Sequence, residues 1–323
     1  MASTADNWSA TGTLDGEAGS LGRLQESAHA LADRLPDLLI DAKRISQTVA
    51  HGIHGRRRSG PGETFWQFRT YESADSAQLI DWRRSASSDH LYVREREWEA
   101  AHTVWMWSDL SASMDFKSHL SPVTKRDRAV VLMLAAAELL VRGGERVGLM
   151  AMSQPSGSRK IAPLLAEAII ANIATPLIAK SRPPQQQIQR HAEVLLFGDF
   201  LAPVPAIRER IEQLASLGAR GHMVQVLDPA EETLPYDGRA EFANPSGRER
   251  FLADRAETLR TEYQRRLAEH RAQIEEFSHR LGWSFLVHHT DRPASEPLLT
   301  LVMRLAGEMG AVYRADSQSE AVL

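Results

Sequence analysis

Thr103-Val-Trp-Met-Trp-Ser-Asp109-Leu-Ser111-Ala-Ser113-Met114 is the stretch that decides the fold. An apolar run of strand length stops at an acid, and hydroxyls follow two and four residues later. A short apolar run bounded by turn residues reads as a strand of a parallel sheet buried on both faces. The turn after it gathers one carboxylate and two hydroxyls. Oxygen ligands of this kind suit a hard divalent cation such as Mg²⁺.

Downstream, strand-type and helix-type segments alternate. Strands are expected at 103–108, 146–152, 193–198, 222–227 and 283–288, with a short one near 158–162. Helices are expected from Lys125 to Arg142, stopped by Gly143-Gly144, and at 163–174, 204–217 and 294–308. A long charged helix is expected from Arg248 to Leu281, with Phe251, Leu252, Leu259, Tyr263, Leu267, Ile274, Phe277 and Leu281 on one stripe. Such alternation predicts an α/β fold with a doubly wound, mostly parallel sheet covered on both faces. A second acid, Asp199, closes the strand Glu193-Val-Leu-Leu-Phe-Gly198. Ligand sites in such sheets lie beyond the carboxyl ends of the strands, where strand order reverses. If these two strands are neighbours there, Asp109 and Asp199 share one crevice with Ser111 and Ser113.

Upstream, residues 1–22 read as a disordered tail. Residues 23–100 form an extension, 101–310 the main domain and 311–323 a C-terminal tail. The extension opens with a helix over Leu24–Val49, divided at Pro36. Next comes a basic Gly-rich loop, Arg56 to Gly62, where Gly60 and Gly62 would let backbone N–H groups approach a phosphate; it lacks a nucleotide-loop ending, and a solvated loop is the preferred reading. Strands at Phe65–Tyr71 and Leu91–Trp98 then flank Asp81, Trp82 and Arg83. With Arg69, these three make either an internal ion-pair and stacking cluster or a partner-contact surface.

Composition narrows the function. The 323 residues are 43% hydrophobic, carry a net charge of −4 and include no Cys. Thiolate metal sites and disulfides are excluded, and the overall field makes no case for nucleic acid. No apolar run is of membrane-spanning length, and the N-terminus lacks signal-peptide features. A cytoplasmic location is expected. The pairs His51/His54 and His288/His289 have no evident third ligand, and Asp228 to Glu232, which follows a strand end, either borders the same crevice or, as preferred, is an exposed acidic turn.

Asp109, Ser111, Ser113 and Asp199 resemble the metal-ion-dependent adhesion site of von Willebrand factor A domains. That resemblance implies Mg²⁺ held by these four residues, with a partner's carboxylate completing the shell. The Thr of that motif has no counterpart between residues 152 and 165, where Ser153, Ser156 and Ser158 are loose substitutes. More narrowly, Ser59-Gly-Pro-Gly62, Phe65, Arg69-Thr-Tyr71, Asp75, Ile80-Asp81-Trp82, Val93-Arg94-Glu95 and the Asp-x-Ser-x-Ser-Met turn resemble the bacterial domain-of-unknown-function family fifty-eight. Ala74 stands where that family has Gly, and Gln78 and Ser87 where it has Arg. The resemblance implies a partnership with a MoxR-type AAA+ ATPase in assembling or activating a client protein.

Three functions follow as expectations. The first is a non-catalytic, Mg-dependent protein-binding module, with no nucleic-acid or membrane partner. The second is a phosphotransferase or phosphatase of haloacid-dehalogenase type with Asp109 as nucleophile. There Ser111 stands where a second Asp is wanted, and no Lys is evident. The third is a metal-free scaffold.

Overall fold

The computed structural model describes residues 12–54, 67–71, 80–86, 90–95, 102–172, 175, 181–243 and 250–305. The Arg56–Gly62 loop, Asp75 and the expected C-terminal tail lie outside them. The chain divides into two units, Met1–Gly52 with His102–Leu323, and Ile53–Ala101.

The larger unit is built on five parallel strands: β3 (Thr103–Ser108), β4 (Arg146–Leu149), β5 (Glu193–Gly198), β6 (Arg220–Leu227) and β9 (Ser284–His289). Their order is β4-β3-β5-β6-β9, with every neighbouring pair parallel. This is the expected doubly wound α/β sheet, and its order reverses between β3 and β5. All six residues of β5 and five of the six in β3 are buried. That explains why both read as unbroken apolar runs rather than as alternation.

Helix α3 (Lys125–Arg142) opens on Thr124, whose hydroxyl accepts from the Asp127 N–H. It ends at Gly143, followed by Gly144 at φ +99°, a left-handed position that suits Gly. Every residue from Ala129 to Ala137 is buried, as the all-round apolar sequence requires. The sheet and α4 (Ile161–Asn172) cover part of it. The long N-terminal helix α1 (Gly12–His54) reaches it through Arg34 on Asp127 at 2.5 Å and the Ser46 hydroxyl on Glu138 at 2.6 Å. Pro36 sits inside α1 without ending it, and the helix starts at Gly12, within the stretch expected to be a disordered tail.

The opposite face carries α5 (Val204–Ser216) and α7 (Arg260–Arg280). Trp105, Trp107, Leu196, Ile211, Leu214, Ile274, Phe277 and Trp283 share one core there. A further helix occupies residues 295–305. Among the described residues, no helix is long and apolar enough to cross a membrane.

Two further expectations about the elements need correction. No strand forms at 158–162: Ser156 makes a lone antiparallel bridge to Val147, and α4 begins at Ile161. The hydroxyls of Ser156 and Ser158 accept from backbone N–H groups two residues on, which favours a turn. The helix expected from Arg248 is shorter. Its first part is β8 (Arg250–Ala253), paired antiparallel with β7 (Ala240–Ala243), and a 3₁₀ turn at Ala256–Leu259 precedes α7. Phe251 faces Phe242 across the hairpin and is exposed, so it never joined the helix stripe.

The smaller unit contains β1 (Gln67–Thr70) and β2 (Tyr92–Glu95), paired antiparallel, and a one-turn helix, α2 (Trp82–Ser85). Asp81 caps α2 by accepting from the Arg84 N–H at 3.1 Å. Trp82 and Arg83 are exposed. Arg84 lies 5.4 Å from the centroid of the Tyr92 ring. Arg69 lies in β1 opposite Val93.

Candidate functional site

Asp109 leaves β3 at the point of reversal, where its N–H donates to the Phe197 carbonyl of β5 at 2.8 Å. Asp199 follows β5 directly, and both acids are buried. Between them stands Gly198, where a Cβ would lie 3.0 Å from the Asp109 Cβ. Ser111 and Ser113 lie on the turn after β3, which continues as a 3₁₀ turn over Ala112–Asp115. The Ser111 N–H donates to Asp109 Oδ1 at 2.8 Å, and the two hydroxyls are 3.1 Å apart. All four residues singled out by their pattern thus lie at one edge of the sheet.

Two residues that the sequence reading missed complete the site. Lys125 and Arg126 open α3 and are each only 1% exposed. Lys125 Nζ lies 3.0 Å from Asp199 Oδ2 and 2.6 Å from Glu231 Oε1. Arg126 reaches the other way, to Asp115 at 2.6 Å and to the Leu110 and Ser111 carbonyls. It braces the turn that carries the two serines. A clue to both was present in the chain: cations in the first helical turn oppose the helix dipole and call for acids in front of them.

The acidic turn after β6 is not the exposed segment expected. Asp228 is fully buried and caps α6 (Pro229–Thr233). It also accepts from the Ser118 N–H and hydroxyl, at 2.8 and 2.5 Å. Glu231 accepts from the Asp228 N–H through one oxygen and from Lys125 through the other. The turn is therefore a wall of the crevice. Phe200, next to Asp199, sits at φ +49°, a costly conformation for a bulky residue, and its carbonyl lies 2.7 Å from His270 Nε2.

Burial and the neighbouring Asp199 push the Asp109 carboxyl up to about 7. Its Oδ2 is buried with no hydrogen-bond partner among the described residues. Burial opposes charge on Lys125, yet Asp199 and Glu231 hold its ammonium above the usual lysine range. Glu231 itself is pushed up by burial, against the pull of Lys125.

These residues can be tested against the Mg²⁺ expected from the pattern. Asp109 Oδ2 and the serine hydroxyls could face a cation. Both oxygens of Asp199 are already engaged, one by Lys125 and one by the Leu201 N–H at 3.2 Å. Two like unit charges about 4 Å apart repel by about 4 kcal/mol at an effective dielectric near 20, and a divalent ion doubles that. An ion shared by both acids would therefore compete with the Lys125 ammonium for Asp199. Among the described residues, no three His, Asp or Glu side chains form a metal-type cluster.

Above this floor opens a cavity of about 710 Å³. Ser113, Asp199 and Glu231 line its base, and Phe116, Tyr236, Phe242 and Tyr263 contribute aromatic wall. The β7–β8 hairpin closes one side through Ala240 to Ala243.

Residues 67–273 match a family described as Protein of unknown function DUF58. The chain belongs to this family. Curated relatives include the uncharacterized proteins Rv1480 of Mycobacterium tuberculosis and Mb1516 of Mycobacterium bovis. Each is 30% identical over 283 residues, an alignment covering 81% of this chain and 86% of the relative. Two solved structures are similar at low identity. BatB from Bacteroides thetaiotaomicron, a conserved hypothetical protein, has 14% identity and a TM-score of 0.36, over 64% of this chain and 100% of that one. An aerotolerance-related membrane protein from Bacteroides fragilis has 17% identity and a TM-score of 0.34, over 61% of this chain and 96% of that one. The DUF58 match includes Asp109, Lys125, Asp199 and Glu231 and ends within α7.

Proposed function

We propose that this DUF58 chain is a non-catalytic protein-binding module. It seats part of a client protein in the crevice over β3 and β5, and a MoxR-type AAA+ ATPase supplies the energy for assembly or activation. The observation that carries the reading is the cavity itself: aromatic walls over a small set of convergent polar groups are what a recognition pocket needs. The polar floor is braced from inside the chain by Lys125, Arg126 and Gln225, whose amide donates to the Asp199 carbonyl. That rigidity suits recognition, because a pre-ordered surface loses little entropy on docking.

The test is co-purification of tagged chain with the ATPase and with a client, comparing wild type with Ser113→Trp, which fills the cavity from its base. Capture of both partners by wild type and loss of the client in the variant is expected. Equal client capture by the two proteins would remove the crevice as the docking site.

A second reading has one observation in its favour. Lys125 against Asp199 supplies the positioned lysine that phosphotransfer of haloacid-dehalogenase type wants and that the sequence reading did not find. The residue two places after Asp109 is still Ser, so the general acid of that chemistry has no side chain to carry it. Turnover of phosphate esters that disappears in Asp109→Asn would establish this reading over the first.

A further inference from the structure

We infer that Lys125 is the cation of this site: a tethered ammonium bonded to Asp199 and Glu231 supplies the positive charge that a divalent ion would bring, so the crevice is built without metal. Three observations on separate elements carry this.

The first is position. Lys125 starts α3, and α3 starts at the crevice because helices of such a fold begin above the carboxyl ends of the strands. Its ammonium is enclosed, 1% exposed, and bonded to acids from two loops, Asp199 after β5 and Glu231 after β6. The ammonium joins the loops after two adjacent strands, as a bridging ion would.

The second is the state of the hydroxyls. Ser111 and Ser113 hydrogen-bond to each other, and Arg126 holds the Ser111 carbonyl. The two hydroxyls and the Ser111 carbonyl are thus engaged within the chain, while Asp109 Oδ2 is not.

The third is the missing ligand. Ser153, Ser156 and Ser158 could have stood in for the absent Thr, but each is spent locally. Their hydroxyls accept from the N–H groups of Leu149, Ser158 and Lys160 respectively. All three hydrogen bonds stay within the β4–α4 segment.

A lysine cannot be chelated away or exchanged, so such a site holds its charge balance at any divalent-ion concentration. The inference does not rest on the partner-binding reading, since a chain that binds no divalent ion can still capture a client or fail to.

The experiment is calorimetric titration of the full chain with MgCl₂ and MnCl₂, with thermal unfolding in EDTA and in excess MnCl₂. Wild type and Lys125→Arg should show no saturable heat and an unchanged Tm. Lys125→Ala leaves acids without their cation, so its Tm should fall in EDTA and recover with MnCl₂. Saturable Mn²⁺ binding by wild type that is lost in Asp109→Ala would overturn the inference. So would a Lys125→Ala protein as stable in EDTA as wild type. Should Lys125→Ala not fold at all, the wild-type and Lys125→Arg titrations still decide.

Discussion

Lys125 holds Asp199 at 3.0 Å with both side chains 1% exposed, the first residue of α3 gripping the residue that closes β5. A buried ion pair adds little net stability over an apolar pair, but removing one member strands the other charge, at a cost of about 3–5 kcal/mol. Glu231 shares the ammonium, so two acids lose their partner together.

Lys125→Met, which keeps the stem and deletes the charge, should therefore destabilise by about 3–5 kcal/mol. Urea unfolding followed by circular dichroism reads this as a lower midpoint at unchanged slope. Lys125→Arg keeps the charge and should lose much less. Equal losses in the two variants would show that the shape of the side chain matters here and not its charge.

Asp109 gives a pH signature of opposite sense to an ordinary salt-bridged acid. Its folded carboxyl is pushed up to about 7 from 3.8 by burial and by Asp199. Between those values the folded state holds a proton that the unfolded chain has released. Stability then falls as pH rises through that window, with the loss complete above about 7. Asp109→Asn cannot titrate, so its Tm relative to wild type should climb from pH 5 to about pH 7 and level off above it. A pH-independent difference would mean that Asp109 is ionised throughout.

How much of this was legible in the chain depended on range. β3 and β5 could be read because burial on both faces turns each into an apolar run, and each run stops at an acid. Their adjacency stood only as a condition, which the strand order meets. Lys125 was read only as the start of a helix, since its partners lie 74 and 106 residues away and no local pattern marks them. Asp228 and Glu231 looked like a solvated turn because charge usually means exposure. Their role follows from Ser118 and Lys125, which approach them from the far side of the crevice. The start of the long helix was misread because Phe251 and Leu252 fit a helical stripe as well as a strand, and only pairing with β7 decides between them.

His288 predicts a second pH effect, of the other sign. Burial, with Arg128 and His289 nearby, pulls its imidazole down to about 3, and its Nε2 has no hydrogen-bond partner among the described residues. Burial and Arg304 pull His222 down to about 4. In the unfolded chain both would titrate near 6.5. Their contribution to stability is whole above that value and is lost as pH falls toward 4. Each such group contributes a slope of about 1.4 kcal/mol per pH unit inside its window. His288→Gln should make unfolding free energy less steep in pH by about one proton between pH 6 and pH 4.5, measured by urea midpoints at closely spaced pH. An unaltered slope would mean that His288 charges freely in the folded state.

The tightest steric relation in the sheet lies away from the crevice. Gly221 in β6 sits under the indole of Trp283, where an added Cβ would stand 2.2 Å from ring carbons. Trp283 is 1% exposed and belongs to the core shared with α5 and α7, so the ring has nowhere to go without moving Phe277 or Ile274. Overpacking a close-packed core typically costs about 1–3 kcal/mol, and here a rigid bicyclic ring must yield, so Gly221→Ala should reach the upper end. At Gly198 the nearest side-chain atoms would be 3.0 Å or more away, and Gly198→Ala should cost less. Unfolding midpoints of the two variants test the ranking, and Gly221→Ala combined with Trp283→Leu should recover part of its loss because the smaller side chain vacates the space. If the double variant is no more stable than the sum of the single losses, the clash between Gly221 and Trp283 does not control packing on this face.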